Sequence, residues 1–247
     1  MSGKTFIGTS GWNYLHWWGG VFYPNGVKQN KWLEYYSNYF DSVEINSTFY
    51  RIPKEKTVEN WRKRVPENFT FIVKASRIIT HLKRLKGIEE ILKNFLDICS
   101  GFEEKLGPIL FQTPPSLKIN KDHLLDLLDN VKLHPLSKNL RIVFEFRNKT
   151  WFCKEIFEIL KKANCSICFS DMLGFEIDEP VTADFVYIRR HGAQERYSSS
   201  YSDEELKPDA EKIKKWVKEN KDVYVYFNND AYGYAVKNAL RLVEFLK

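Results

Sequence analysis

Charged and amide side chains stand at the C-terminal ends of several apolar runs in this sequence. Glu44 and Asn46 lie two residues apart in one run, and Glu145 and Arg147 repeat that spacing in another. Alternate residues of a strand point to the same face, so each pair would project into one space. Carboxylates, lysine and histidine gathered there could transfer protons, bind a metal ion or hold an anion. The candidate catalytic residues are Glu44, Lys74, Glu145, Asp171 and His191, and the candidate substrate-binding residues are Asn46, Gln112, Arg147, Arg189 and Asn229.

Glu44 is the predicted proton carrier of this set. Its same-face neighbour is Asn46, so its own strand supplies no cation, and a carboxyl group without a cation in a water-poor site takes up a proton more readily. Glu145 has Arg147 on the same face and is expected to stay ionised, as an orienting group or a metal ligand. The alternative for Glu44 is a structural salt bridge with Lys74 from the next strand.

These polar residues need a fold that brings strand ends together. Runs rich in β-branched and aromatic residues alternate with segments of helical period, which is typical of parallel α/β folds. We predict one domain over residues 1–247, a TIM-like (β/α)8 barrel with about 31 residues per unit and a reduced helix between strands six and seven. The alternative is an open doubly wound sheet, which uses fewer strands. The predicted strands are Thr5–Thr9, Ser42–Ser47, Thr70–Ala75, Pro108–Gln112, Arg141–Arg147, Ser166–Asp171, Phe185–His191 and Asp222–Asn228.

Amphipathic segments between these strands are predicted to form the covering helices. Ser202 and Glu205 have the spacing of a capping box at the start of one helix. The connection from Asp171 to Phe185 contains Gly174 and Pro180 and is too short for a full helix. The predicted helices are Lys28–Phe40, Thr57–Val65, Ile88–Phe102, Lys121–Val131, Cys153–Ala163, Asp203–Asn220 and Ala231–Leu246.

The segment after the first strand is rich in aromatic residues, from Trp12 to Tyr23. Most of these rings are expected to pack as a lid that buries its own apolar surface. Trp12 is the exception, because it directly follows Ser10 and Gly11 at the end of the strand. It is a candidate to stack on a substrate ring.

The composition is that of an ordinary globular protein. Of the 247 residues, 43% are hydrophobic and 28% are charged, which excludes a long disordered chain. Four cysteines are too few for a disulfide framework. The sequence has no P-loop, Rossmann, zincin or nucleophile-elbow motif, and no apolar run of signal-peptide or membrane-spanning length. We therefore expect a soluble, cytoplasmic protein, and its net charge of +6 favours a partner that carries phosphate or carboxylate.

Long motifs in the chain resemble those of the YecE-like family, also known as domain of unknown function 72. The resemblance extends from Ile7 to about Ala239 and implies a TIM-like barrel. It also implies three further substrate-binding positions: His81, Tyr197 and Tyr201. A sugar-isomerase label for this family rests on analogy of fold alone. The motifs are IGTSGWNYLHWWGGVFYP, FDSVEINSTFYRIP, FIVKASRIITH, LGPILFQTPPS, VFEFRNKTW, DFVYIRRHG and VYFNND.

A metal site is one hypothesis for the mouth of the barrel. Glu145, Asp171 and His191 resemble the order of ligands in xylose-isomerase-like barrels, which makes them candidate ligands for Mn²⁺, Mg²⁺ or Zn²⁺. However, Asn228 and Asn229 stand where those barrels usually have a carboxylate, and two arginines would repel a cation. These departures weigh against a divalent metal.

The favoured function is an enzyme that acts on a small anionic, sugar-like or sugar-phosphate substrate, either isomerase-like or epimerase-like, or a metal-assisted hydrolase. The alternatives are an enzyme that processes phosphodiesters or nucleic acid, and a non-catalytic module that clamps an anion with Lys74, Arg147 and Arg189. Since Glu145 could pair with Arg147, and Asp171 with His191, we expect Lys74 or Arg189 to remain free for the anion.

Overall fold

Eight parallel strands form a nearly closed barrel with helices between them, as in a TIM barrel, which confirms the predicted fold class. The computed structural model describes residues 2–172, 175–177, 180–192, 195 and 197–247. The strands are β1 (Thr5–Thr9), β2 (Ser42–Ile45), β3 (Thr70–Lys74), β4 (Leu106–Gln112), β5 (Ile142–Glu145), β6 (Ser166–Met172), β7 (Phe175–Ile177), β8 (Phe185–Arg190) and β9 (Asp222–Phe227). The α-helices are α1 (Trp32–Tyr36), α2 (Ser47–Tyr50), α3 (Glu55–Lys63), α4 (Glu89–Ser100), α5 (Lys121–Leu133), α6 (Lys154–Lys162), α7 (Asp203–Lys218) and α8 (Tyr234–Leu246).

The barrel closes at a seam between β1 and β2. The hydrogen-bonded order is β1-β9-β8-β6-β5-β4-β3-β2, so β1 and β2 are its two ends. Gly8 approaches β2 so closely that a Cβ atom would lie 2.3 Å from the Ser42 carbonyl oxygen. The Tyr36 hydroxyl accepts from the Thr9 N–H at 3.0 Å and donates to the Ser42 carbonyl at 3.2 Å. A side chain thus links the two strands where the backbone ladder ends.

The connection between β6 and β8 differs from the predicted reduced helix. Its described residues form β7, which pairs antiparallel with β6, and Met172 is opposite Phe175. Gly174, which we cited in predicting a reduced helix, lies outside the described residues. The barrel strand predicted as the seventh is therefore β8 in the structure, and the one predicted as the eighth is β9.

Side-chain hydrogen bonds to the backbone shorten two predicted elements. The helix predicted over Lys28–Phe40 is a 3-10 turn followed by α1, and the Ser37 hydroxyl donates to the Glu34 carbonyl at 2.9 Å where α1 ends. β2 ends at Ile45, because the chain turns into α2. The Thr48 hydroxyl lies 2.7 Å from the Lys74 carbonyl oxygen and anchors α2 to β3. The capping box predicted at Ser202 and Glu205 is present at the start of α7.

The barrel interior beneath the polar mouth is apolar. The larger part of the hydrophobic core lies between the strands and the helices. Among the described residues, no helix combines the length and the apolar character needed to cross a membrane. The interior cluster consists of Ile72, Leu110, Val143, Cys168, Phe185, Tyr187, Tyr224 and Tyr226.

Candidate active site at the barrel mouth

Glu44 lies in a buried network at the base of the mouth. One carboxylate oxygen accepts from the Ser10 hydroxyl at 2.7 Å and from Arg189 Nη2 at 2.8 Å. The other oxygen accepts from the Tyr187 hydroxyl at 2.5 Å. The ion pair of Glu44 is therefore with Arg189 of β8 rather than with Lys74 of β3. Because both oxygens have protein partners and the residue is fully buried, the geometry favours a structural role for Glu44 over the predicted role in proton transfer.

Arg189 joins two carboxylates inside the barrel. Besides its bond to Glu44, it donates through Nη1 to Glu145 Oε2 at 2.6 Å. The second oxygen of Glu145 lies 2.5 Å from Arg147 Nη2 and 2.9 Å from His191 Nε2. Burial alone would raise the pKa of Glu145, but Arg147 and Arg189 outweigh it and hold that pKa well below its usual range. Of the two cations that the sequence left available for an anion, Arg189 is therefore engaged by Glu44 and Glu145.

His191 completes this network as a neutral imidazole. Burial lowers its pKa to about 4, although Glu145 opposes the shift. The Asn228 amide nitrogen lies 3.2 Å from Nδ1, and Nε2 lies 2.9 Å from Glu145 Oε1 and 3.0 Å from Arg147 Nη2. The ring of Tyr197 meets the imidazole edge to face, with the centroids 5.6 Å apart.

Lys74, at the end of β3, has very different surroundings. Its Nζ lies 4.4 Å from the centre of the Phe49 ring, and within the described part of the chain it forms no ion pair. The residue is only 9% exposed. Burial, and then the positive charge of Arg189, lower the pKa of Lys74 to about 7. A large fraction of this amine is therefore uncharged near neutral pH.

His81 and Gln112 follow the same two neighbouring strands, β3 and β4. His81 lies on a π-helical turn, Ile78–Leu82, and its ring meets the Phe49 ring edge to face at 4.9 Å. Burial, and then Lys74, lower the pKa of His81 to about 4. Gln112 is half-buried, and its amide has no hydrogen-bond partner among the residues described. We call Lys74, His81 and Gln112 the open side of the mouth, and Glu44, Glu145, Arg147, Arg189 and His191 the paired side.

Asp171 does not converge with the paired side as predicted. Cys168 belongs to the interior cluster, so Asp171, three residues later, lies on the other face of β6. Its Oδ1 accepts from the backbone N–H of His191 at 2.8 Å, and its Oδ2 accepts from the Tyr201 hydroxyl. The Tyr201 oxygen in turn accepts from the Gly192 N–H at 2.6 Å. Asp171 and Tyr201 therefore fix the backbone after β8.

The predicted metal ligands do not fit a divalent cation. Guanidinium or imidazole donors contact both oxygens of Glu145, and His191 Nε2 is engaged with the same carboxylate. Asp171 lies on the other strand face. Among the residues that the structure describes, no group of three or more His, Cys, Asp or Glu side chains is arranged to hold a metal ion. The physical reason is that two arginines occupy the place of the cation.

Asn229 and Asn46 both bind backbone, and each keeps a buried amide oxygen with no partner among the described residues. The fully buried Asn229 donates to the Ser199 carbonyl at 2.9 Å and to Asn238 Oδ1 at 2.8 Å. This geometry fixes the loop after β9. Asn46 donates to the Ser10 carbonyl at 2.9 Å, whereas its buried Oδ1 has no partner in the described residues.

Trp12 lines an open cleft beside the mouth. The cleft has a volume of about 690 Å³, and Asn46 forms part of its wall. Trp12 and Trp61 meet edge to face at 5.4 Å, and the Tyr50 ring in the same wall is largely exposed. Flat rings of this kind can stack on a sugar or a base.

Two rings of the aromatic loop after β1 are part of the buried structure, whereas Trp18 in the same loop is half exposed. Trp17 and Tyr23 are fully buried. The Tyr23 ring stacks on Trp32 of α1 with the centroids 4.5 Å apart, and the Trp17 indole nitrogen donates to Asp230 at 2.7 Å. The loop is thereby attached both to α1 and to the segment after β9.

Sequence reasoning missed Ser10, Phe49 and Tyr187, which complete the site. Tyr187 resembled an ordinary core tyrosine, although its position two residues before Arg189 put it on the inner face. Ser10 likewise comes two residues after Gly8, a spacing that puts both residues on the inner face. Phe49 gave no such signal, because α2 brings it to Lys74 and this short helix was not predicted.

Known proteins share both the sequence and the fold. The family model described as protein of unknown function DUF72 matches residues 6–247. The UPF0759 protein YunF of Bacillus subtilis (strain 168) is 28% identical over 273 aligned residues, which cover 98% of this chain and 94% of YunF. The crystal structure of a DUF72 family protein from Thermotoga maritima MSB8 is 30% identical, with a TM-score of 0.86 over 98% of this chain and 99% of that one.

A more distant protein shares the fold only. It is a xylose isomerase-like TIM barrel/4-hydroxyphenylpyruvate dioxygenase fusion protein, 13% identical, with a TM-score of 0.53 over 100% of this chain and 42% of its own. The family match, by contrast, spans nearly the whole barrel and confirms the resemblance found in the sequence motifs. The chain therefore belongs to the DUF72 family.

Proposed function

We propose that this protein is an enzyme that acts on a small anionic, sugar-like substrate held at the open side of the mouth. The observation that carries the proposal is the charge balance of the inward-facing groups. On the paired side, two carboxylates offset two guanidinium groups, and the imidazole is neutral. Lys74 contributes a further positive charge when protonated, and no carboxylate among the described residues pairs with it. A substrate anion would compensate this buried charge through a charge-assisted hydrogen bond.

Unpartnered polar atoms around the mouth support a substrate with several hydroxyl groups. The Gln112 amide and the buried Oδ1 of Asn46 have no protein partner within the described residues. The Nε atom of Arg147 is also buried without a partner there. Buried polar atoms are nearly always hydrogen-bonded in folded proteins. A polyhydroxylated ligand would supply the missing donors and acceptors, and its ring could reach the cleft beside Trp12.

Lys74 and His81 support proton transfer as the chemistry. The pKa of Lys74 is about 7, so this amine takes up and releases a proton near neutral pH far more readily than an ordinary lysine, whereas His81, with a pKa of about 4, is a neutral imidazole there. A base with a pKa near the ambient pH is well suited to remove a proton next to a carbonyl group. Isomerisation and epimerisation of sugars share that step.

Calorimetric titration with inorganic phosphate and with a hexose phosphate tests the binding. Lys74→Met should weaken phosphate binding at least about tenfold, because one charge-assisted hydrogen bond is lost. Lys149→Met is the matched control, since Lys149 is an exposed lysine after β5, and it should bind phosphate like the wild type. Equal affinity of the wild type and Lys74→Met would contradict the proposal.

Solvent deuterium uptake tests the reaction. Wild-type protein in D₂O should exchange the proton next to the carbonyl group of at least one member of a panel of phosphorylated aldoses and ketoses, as followed by NMR. Lys74→Met should not. If phosphate binds but no compound in the panel exchanges, the anion-binding module without catalysis becomes the better interpretation.

A further inference from the structure

We infer that Lys74 is a nucleophile that forms a Schiff base with the carbonyl carbon of an anionic aldehyde or ketone. The inference rests on the proposed function and adds covalent chemistry to the same site. It names the substrate class as a small carbonyl compound that also carries a carboxylate or a phosphate.

The contacts of Lys74 are unlike those of a structural lysine. Structural buried lysines are held by carboxylates or carbonyl oxygens, as Lys105 is in this protein, where Nζ donates to the carbonyls of Arg62 and Val65 at 3.0 Å each. The Nζ atom of Lys74 instead lies over the Phe49 ring, with no carboxylate or carbonyl partner among the described residues. An amine in this position keeps its lone pair available.

Burial is the main cause that favours the uncharged amine of Lys74, and the positive charge of Arg189 adds to it. Arg189 and Arg147 repel the ammonium form, whereas Glu44 and Glu145 attract it but are already paired with those arginines. Only the neutral amine can attack a carbonyl carbon. Together, burial and the two arginines outweigh the carboxylates and bring the pKa to about 7.

His81 is placed to assist the proton transfers of the reaction. The Phe49 ring contacts both Lys74 and the imidazole of His81. The ring of His81 is half-buried, and its Nδ1 lies 2.8 Å from the Thr80 hydroxyl. This leaves Nε2 to exchange protons with a substrate or with water.

The reaction balances without an oxidant or a reductant. The amine lone pair forms a C–N bond as the carbonyl π bond breaks, and one proton passes from nitrogen to oxygen to give a carbinolamine. The C–O bond then breaks, the oxygen leaves as water after taking up one more proton, and a protonated imine remains. The positive charge of that imine stays where the ammonium would be, so the substrate's anionic group still compensates it.

Reductive trapping with glyoxylate and sodium cyanoborohydride tests the inference on the unmodified protein. The reagent converts an imine to a stable secondary amine, which peptide mass spectrometry locates. Near neutral pH, Lys74 should be labelled at least about tenfold faster than the exposed Lys149, because an ordinary solvated lysine is almost entirely protonated there. Labelling at Lys74 should also be faster with glyoxylate than with the uncharged acetaldehyde. Equal labelling of Lys74 and Lys149, or an unlabelled Lys74, would overturn the inference.

A charge-preserving variant separates this inference from the proposed function. Lys74→Arg keeps the positive charge but cannot form an imine, so the specific label should disappear while phosphate still binds within about threefold of the wild type. Inorganic phosphate should also protect the wild-type lysine from glyoxylate, a measurement that needs no variant. If phosphate binds through Lys74 but glyoxylate does not label it, the Schiff base is wrong and the proposed function stands. If phosphate does not bind, both fail.

Discussion

The paired side and the open side of the mouth are built from the same kinds of residue, yet their contacts are opposite. On the paired side, each carboxylate oxygen of Glu44 and Glu145 has a donor within 2.9 Å. On the open side, the Lys74 amine rests on an aromatic ring and the Gln112 amide has no partner among the described residues. Lys74 is buried, as the paired side is, so burial does not mark the reactive group. The difference lies in whether the charge is compensated, and this supports the proposal of chemistry on the open side.

Arg189→Met should have the largest effect on stability, because it breaks the paired side. The change leaves Glu44 without its cation and Glu145 with one fewer, both inside the barrel. Removing one partner of a buried ion pair costs about 3–5 kcal/mol of the free energy of unfolding. Urea denaturation followed by circular dichroism measures it, with Lys149→Met as the control that should change by less than about 0.5 kcal/mol. A loss below about 1 kcal/mol for Arg189→Met would show that the network is not structural.

Lys74→Met should change the pH dependence of stability. With a pKa of about 7 when folded and about 10.4 when unfolded, Lys74 binds fewer protons in the folded state between those values. Lys74 therefore makes the free energy of unfolding of the wild type rise with pH in this window. Below about pH 7, folding carries the whole cost of burying the charged amine. The variant has no such penalty, so its stability advantage over the wild type should shrink by about 2–4 kcal/mol from near pH 7 to near pH 10. Parallel pH curves for the two proteins would contradict the unpaired state of Lys74.

Tyr201→Phe should weaken the hydrogen bonds that fix the backbone after β8, next to the paired side, and should leave the open side unchanged. The lost hydroxyl donates to Asp171 and accepts from the Gly192 N–H. Leaving such buried groups unpaired costs about 1–3 kcal/mol. Thermal or urea unfolding measures the loss, and phosphate titration should give an unchanged affinity. If anion affinity falls while stability does not, Tyr201 contacts the ligand and the division into two sides is misplaced.

Gln112→Leu should have the smallest effect on stability of these changes. Because the amide has no described protein partner, the free energy of unfolding should stay within about 0.5 kcal/mol of the wild type. Binding of a hexose phosphate should weaken if Gln112 contacts its hydroxyl groups. A destabilisation above about 1.5 kcal/mol would reveal a structural partner and would remove Gln112 from the open side.

The sequence predicts the members of this site better than their pairing. The inward face of each strand follows from local alternation, and this brought Glu44, Lys74 and Arg189 to the mouth. Pairing depends on which strands face each other across the barrel, and Arg189 and Glu44 are 145 residues apart. The alternation of side chains along β6 also places Asp171 on the outer face, because Cys168, three residues earlier, lies on the inner face.

The fold was predictable to the extent that local patterns control it. Buried parallel strands are apolar throughout, and this signal located every barrel strand. The length of α1 and the presence of α2 depend on hydroxyl-to-carbonyl bonds of Ser37 and Thr48, which no periodicity reveals. Antiparallel pairing of β7 with β6 was likewise invisible, since it replaces a helix with a chain reversal.

The seam held by Tyr36 gives the barrel a stiffness that varies around its circumference. Seven of the strand junctions are backbone ladders. At the junction of β1 and β2, side chains make the links instead: the Tyr36 hydroxyl, the 2.7 Å bond from Ser10 to Glu44, and the 2.9 Å bond from Asn46 to the Ser10 carbonyl. Local opening of the barrel is therefore expected first between β1 and β2, and the amide hydrogens of these two strands should exchange with solvent soonest. Such local opening would displace Glu44 and the groups bonded to it, whereas Lys74 and Gln112 lie on strands β3 and β4, which are joined by backbone pairing up to Lys74.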